Sequence, residues 1–141
     1  MTTVNQEQQG TIATLVPENK RMDFMPQFFG PKLMMRGEIL VFSWLSKLSP
    51  DYCGGYWHFY TLSNGGFYMA PDIKRSLRLF VDGNYFNDDL SADAAGIVAT
   101  LFALNQLAQE SRSERIIGFY YQLIEFASSH SEAHKIFRAI D

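Results

Sequence analysis

Leu62-Ser63-Asn64-Gly65-Gly66-Phe67-Tyr68-Met69-Ala70-Pro71 decides the fold, because a turn signal stands there beside a dense apolar run. Asn64-Gly65 suits the two positive φ angles of a type I′ turn, whose twist matches that of the strands it joins. Upstream, Tyr56-Trp57-His58-Phe59-Tyr60-Thr61 supplies the first strand. With Asn64-Gly65 as a two-residue loop, Leu62 faces Phe67 and Tyr60 faces Met69 on one side, while Thr61 faces Tyr68 and Phe59 faces Ala70 on the other. A Gly65-Gly66 loop gives a second register, and the residues alone leave both open. Both faces are apolar, so the hairpin requires cover on each side.

Downstream, Leu77-Arg78-Leu79-Phe80-Val81 reads as a further strand, and Asp82-Gly83 is a second hairpin signal before Asn84-Tyr85-Phe86. The middle of the chain therefore reads as an antiparallel meander of three or four strands. Ser91 and Asp93 place a hydroxyl acceptor and an acid at the start of a helix running to about Gln109. Its Ile97, Val98, Leu101, Phe102, Leu104 and Leu107 cover most of the circumference, which puts it at the centre of a domain. Ser111 with Glu114, and Ser129 with Glu132, have capping-box spacing for two more helices. Before the strands, Leu40, Trp44, Leu45 and Leu48 mark a helix from about Leu33 that Pro50 stops. Pro26 and Pro31 confine Phe24, Met25, Phe28 and Phe29 to an irregular lid. Residues 1–12, rich in Gln and Thr, read as a flexible tail and residues 13–141 as one domain. Strands grouped between N-terminal and C-terminal helices make the class α+β.

A chain of 141 residues, 47% of them hydrophobic, can bury one sizeable core. It has no long apolar run and no signal-like N-terminus, and its single Cys53 excludes an internal disulfide, so a reducing cytoplasm is the expected compartment. Twelve basic and 15 acidic residues give a net charge of -3, and the basic ones are scattered rather than striped. That arrangement speaks against a DNA-binding face. Imitation of duplex DNA fails on magnitude, since about ten base pairs carry roughly twenty charges.

Little in the sequence points to catalysis. His130 and His134 stand four apart, as two metal ligands on one helix would, but the HExxH pattern and a nearby third ligand are missing. A small metal-dependent hydrolase using those two histidines is therefore kept only as an alternative, beside a nucleic-acid-binding accessory protein. Ser63 and Ser91 have structural places in a turn and at a cap, and Asn64-Gly65-Gly66 lacks the GxxxxGK phosphate loop. No catalytic, cofactor or metal residue is assigned. Candidate partner contacts are Tyr56, Trp57 and Tyr68, as aromatics exposed on a sheet, and Asp88-Asp89, as part of an acidic run with Asp82 and Asp93. Asp141 is added because it sets a carboxylate at the negative end of a helix dipole.

Long motifs in a fixed order carry a resemblance. They are Thr14-Leu15-Val16-Pro17-Glu18, Arg21-Met22, Phe29-Gly30, Met34-Met35, the hairpin Leu62 to Pro71, Val81-Asp82-Gly83-Asn84, SADAAGIVATLFAL from Ser91 to Leu104, and Ala139-Ile140-Asp141. On these the sequence resembles the ArdB/KlcA family of antirestriction proteins from about Thr14 to Asp141. The resemblance implies an α+β fold and a small plasmid- or island-borne protein. Such a protein relieves type I restriction-modification of incoming unmodified DNA. It implies a contact with the restriction complex, or with a host factor controlling it, and neither an enzyme nor a DNA mimic. No cofactor, membrane or direct DNA partner is expected, and the protein is expected to be a monomer or homodimer.

Overall fold

The computed structural model describes residues 10–141. In chain order it comprises β1 (Ala13–Leu15), a 3-10 turn (Glu18–Lys20), α1 (Arg21–Leu48), β2 (Trp57–Leu62), β3 (Phe67–Pro71), β4 (Leu77–Val81) and β5 (Phe86–Leu90). Helices α2 (Ala92–Ser111), α3 (Glu114–Ser128) and α4 (Ala133–Ile140) follow. The expected tail lies mostly outside the described residues. Its last residues are tied down: the Ile12 N–H donates to Ser63 Oγ at 2.8 Å and Ile12 O accepts from the Ser63 N–H at 2.8 Å.

The deciding hairpin forms, one residue out of the two-residue register. Tyr60 lies opposite Tyr68 and Phe59 opposite Met69, around a three-residue loop Ser63-Asn64-Gly65. The Leu62 N–H donates to Gly66 O and the Gly65 N–H to Leu62 O, both at 2.9 Å, and Gly65 alone takes the positive φ, 95°. The cause is tertiary. Asn64 Nδ2 donates to Gln122 O at 2.9 Å and to Glu125 Oε1 at 2.6 Å, while Gln122 Nε2 donates back to Asn64 O at 2.8 Å. Asn64 thus clamps the turn onto α3 instead of supplying a left-handed turn residue.

Cover is present on both faces, as the apolar pattern requires. On one, Tyr68 stacks between Tyr60 (4.7 Å) and Phe126 (5.5 Å). On the other, Phe67 sits among Phe24, Phe28, Phe29 and Phe119, at centroid distances of 4.5 to 5.5 Å. The free edge of β3 is covered as well. Met69 belongs to a non-hydrogen-bonded pair, so its N–H and C=O point away from β2. They meet Thr100 of α2, whose Oγ1 accepts from the Met69 N–H at 3.3 Å and lies 3.4 Å from Met69 O and 2.8 Å from Gly96 O. Gly96 permits this approach, because a Cβ there would stand 2.4 Å from Met69 O and 2.5 Å from Ala70 Cα.

With that edge taken by a helix, β3 does not pair with β4. The expected single meander divides into a three-stranded sheet, β1-β2-β3, and a two-stranded sheet, β4-β5. In the second hairpin Val81 pairs with Phe86, so residues 82–85 form the loop and the strand begins at Phe86 rather than Asn84. Asn84 Nδ2 instead donates to Arg138 O (3.2 Å) and Ala139 O (2.9 Å), tying the loop to the end of α4.

Three helical expectations are corrected. Residues expected as a lid are helical, with α1 breaking only at Gly30 (φ 77°, ψ 163°). Pro31 opens the second segment, where its missing N–H costs little, and Phe24, Phe28 and Phe29 share the buried side of the first. The cap of α3 is Ser113, whose Oγ accepts from the Ile116 N–H at 3.3 Å, whereas Ser111 turns back to Leu107 O. The Ser129–Glu132 capping box does not form: Ser129 Oγ donates to Phe126 O at 3.1 Å, and Glu132 itself stands at the N-cap position of α4 with its carboxylate drawn to Ser91. One apolar cluster joins both sheets to all four helices.

Candidate functional site

The densest polar cluster joins β3, the start of α2 and the turn between α3 and α4. Ser91 Oγ caps α2 by accepting from the Ala94 N–H at 3.1 Å. The Ser91 N–H donates to Glu132 Oε1 at 2.9 Å, and Ser91 Oγ donates to Glu132 Oε2. Two residues on, Asp93 accepts from the Tyr68 hydroxyl (2.8 Å) and faces His130 Nε2 (2.8 Å). The other ring nitrogen, Nδ1, accepts from the Glu132 N–H at 3.0 Å. That acceptor role puts the proton on Nε2, which donates to Asp93. Burial first, then Asp93, pushes the Tyr68 hydroxyl far above its ordinary range.

This cluster contains Ser, His and Asp, and it is not arranged for nucleophilic catalysis. Ser91 Oγ is bonded to Glu132 and Ala94 rather than to the imidazole, and neither nitrogen of His130 is left to take its proton. The metal alternative fails on the same contacts. His130 lies in the turn before α4, not on a helix with His134, and both its nitrogens are engaged within the chain. Among the described residues no group of three or more His, Cys, Asp or Glu side chains is placed to hold a metal ion.

The expected partner contacts do not converge. Trp57 and Tyr68 are 3% and 2% exposed, so neither presents its ring at the surface. Trp57 faces the core because β2 alternates inward there, and its Nε1 donates to the Tyr52 hydroxyl at 2.8 Å. Tyr56, one residue before β2, is 47% exposed. It donates its hydroxyl to Glu18 Oε2 at 3.0 Å and carries the Arg21 guanidinium over its ring at 4.3 Å.

Asp88 and Asp89 lie on β5 and are neutralised locally. Asp89 meets Arg78 at 3.4 Å, and Asp88 meets Lys135 at 3.6 Å and Arg138 at 4.0 Å. The Asp89 N–H, and then Lys135, hold the Asp88 carboxyl below its ordinary value. Asp141 is exposed just beyond α4, where its charge is one of the causes raising the Tyr120 hydroxyl, after burial and Tyr121.

Sequence reasoning passed over two surface features. Tyr85, in the second hairpin loop, is 91% exposed and holds φ at 62°, an uncommon conformation for a bulky residue. Arg112, at φ 57°, closes α2 beside a groove of about 780 Å³ also lined by Ile117, Tyr120 and Tyr121. Neither has a local signal, because an aromatic or basic residue next to a turn has no spacing that marks it as exposed. Among the described residues no helix is long and apolar enough to cross a membrane.

Comparison with known proteins agrees with the architecture. Residues 50–141 match the model of a family described as antirestriction protein. An antirestriction protein KlcA from Escherichia coli is 55% identical over 142 residues, covering 98% of this chain and 100% of the relative. A second KlcA from the same organism is 57% identical over 136 residues, covering 92% and 93%. An uncharacterised protein, YafX, from Escherichia coli strain K12 is 40% identical over 141 residues, covering 97% and 92%. A solved structure superposes with a TM-score of 0.88 at 55% identity, covering 94% of this chain and 96% of that one. It is described as showing that the KlcA and ArdB proteins have a novel fold and antirestriction activity against type I DNA restriction systems in vivo but not in vitro. By the family match and by identity along nearly its whole length, this chain belongs to the antirestriction protein family.

Proposed function

We propose that this protein relieves type I restriction of incoming unmodified DNA inside the cell, and does so through contact with a protein. The observation that carries the reading is the 55% identity and 0.88 TM-score to a structure with antirestriction activity against type I systems. Activity of those relatives in vivo but not in vitro favours a route that needs a cellular component, such as a host factor controlling the restriction complex. The net charge of -3 is far from the roughly twenty charges needed to imitate about ten base pairs. Asp88 and Asp89, moreover, are paired with Arg78, Lys135 and Arg138, so they do not form a free acidic track.

The protein in this reading is a cytoplasmic inhibitor and not an enzyme. Its polar cluster works as a junction, holding β3, α2 and the α3–α4 turn in place. Among the contact residues named from sequence, Tyr56, Asp89 and Asp141 remain available at the surface, and Asp88 only partly. The test is the plating efficiency of unmodified phage on cells carrying a type I system, with and without the protein. Plating is expected to rise when the protein is expressed. Unchanged restriction across several type I systems refutes the proposal. Affinity capture from the same cells then separates subunits of the enzyme from another host protein as the direct target.

A further inference from the structure

β1 is the outermost strand of the three-stranded sheet, and its hydrogen bonds to β2 are made by alternate residues. Ile12 O accepts from the Ser63 N–H and the Val16 N–H donates to Phe59 O, each at 2.8 Å, with Thr14 opposite Thr61 between them. Ala13 and Leu15 therefore occupy the non-hydrogen-bonded pairs, and their N–H and C=O groups point away from β2. Among the described residues those backbone groups have no partner. The opposite edge of the same sheet is closed by Thr100 and lacks a donor at Pro71, so the exposure at β1 is particular to this edge. Natural sheets usually blunt such an edge with charge or proline. Here it is flanked by Ile12 and Leu15, 51% and 49% exposed.

Beneath the edge lies a trench of about 300 Å³ on the inner face of β1, with Thr14, Thr61, Phe24 and Gln27 among its lining. A strand added to β1 would aim alternate side chains into that trench, as in other recognition by strand addition. We infer that the outer edge of β1 receives an extended segment of a partner protein, held by ladder bonds to Ala13 and Leu15 and placing a short polar side chain into the trench among Thr14, Lys20, Asp23 and Gln27. The backbone groups dictate this occupant, since a row of free N–H and C=O groups at strand spacing is complementary to another strand and not to a helix or a nucleic-acid backbone. A second copy of this chain presents the same short edge, so a symmetric dimer is the competing occupant, and a concentration-dependent dimer of the isolated protein in analytical ultracentrifugation that Leu15→Pro abolishes overturns the inference.

The inference rests on the reading that the protein acts through a protein partner, and it adds where the partner docks. The test uses Ala13→Pro and Leu15→Pro in the full chain, with Leu15→Ala as the comparison. Proline removes an outward N–H at these positions without touching a bond to β2, so circular dichroism and melting are expected to stay near wild type. Both proline variants are expected to reduce relief of restriction by about tenfold or more, the equivalent of about 1.4 kcal/mol, while Leu15→Ala retains most of it. Full relief by folded proline variants overturns the inference, and so does a loss with Leu15→Ala as large as with Leu15→Pro. If a proline variant melts low, Leu15→Lys replaces it, and wild-type relief by a folded Leu15→Lys likewise overturns the inference. Amide exchange on the isolated wild-type protein gives an independent readout: fast exchange at Ala13 and Leu15 is expected beside slow exchange at Val16, and protection at all three overturns it. Absence of relief by the wild-type protein itself refutes the functional reading instead.

Discussion

Gly96→Ala sets two effects of opposite sign against each other. Within a helix the change is ordinarily favourable by about 1 kcal/mol, because alanine loses less conformational freedom. At this position the new Cβ would lie 2.4 Å from Met69 O, 2.5 Å from Ala70 Cα and 2.6 Å from Ala70 Cβ, where ordinary contact begins at 3.4 Å. Two of these atoms are backbone, so no rotamer change relieves the overlap, and α2 must retreat from β3 by about 1 Å. Overpacking of this kind costs about 1–3 kcal/mol. The retreat also pulls Thr100 from the Met69 N–H, and an unpaired buried donor costs about 1–3 kcal/mol more. Setting central values of these costs against the propensity gain leaves a destabilisation of about 3 kcal/mol, or roughly 10 °C in melting temperature for a chain of this size. Urea and thermal unfolding of Gly96→Ala should show it. Gly118→Ala provides the control: that glycine is exposed on α3 and its added Cβ meets nothing within 4 Å, so the change should raise stability by up to about 1 kcal/mol. A Gly96→Ala protein as stable as wild type, or a destabilising Gly118→Ala, would refute the reasoning.

Three further expectations concern single side chains. Thr100→Val keeps the shape but removes the hydroxyl that meets the Met69 N–H, and should cost about 2 kcal/mol in urea unfolding, more than Thr100→Ser, which loses only a methyl worth about 1 kcal/mol; the reverse order would show that packing, not the hydroxyl, matters there. Asn84→Ala removes the donor to Arg138 O and Ala139 O and should cost about 1 kcal/mol, with faster amide exchange at the end of α4; unchanged exchange there would contradict the role of the clamp. The Glu110 carboxyl is held down at about 2 from 4.5, first by its hydrogen bond to Arg36. A lowered folded value means a contribution present in full above pH 4.5 and lost as the pH falls from there toward 2. The stability difference between wild type and Glu110→Gln should therefore shrink across that window, and a constant difference would rule out the link.

Much of this architecture was legible because its signals are local. The apolar density around Phe67 demanded cover on both faces, and Ser91 with Asp93 marked the start of α2. What escaped is set by contacts distant in sequence. The hairpin register depends on Asn64 reaching Gln122 and Glu125, and the division into two sheets depends on α2 occupying the edge of β3. The expected lid failed for a different reason. Two prolines five residues apart point to an irregular segment, but the break in α1 falls at Gly30, and Pro31 merely opens the next helical stretch. For the contact residues, alternation was readable but its phase was not. An exposed face fits Trp57 and Tyr68 equally well in sequence, while the register buries Trp57 against Phe42 and the stacking on Phe126 buries Tyr68.

Residues that look chemical in the sequence turn out to be the ones that fasten distant elements together, and this bears on how the protein acts. His130 has its two nitrogens committed to Asp93 and the Glu132 N–H, so it ligates no metal without breaking the turn before α4. Glu132, in place to cap a helix, binds Ser91, and Asp88 and Asp89 are balanced by Arg78, Lys135 and Arg138. These four polar residues are in this way consumed by the fold. Among the described residues, Ser49 Oγ is the buried side-chain atom that lacks a hydrogen-bond partner, and on the surface the outward N–H and C=O groups of Ala13 and Leu15 on β1 have none. In the reading proposed above, that open edge of β1, rather than the Ser91–Asp93–His130–Glu132 cluster, is where another chain pairs, because a free ladder edge offers bonding that the committed side chains do not.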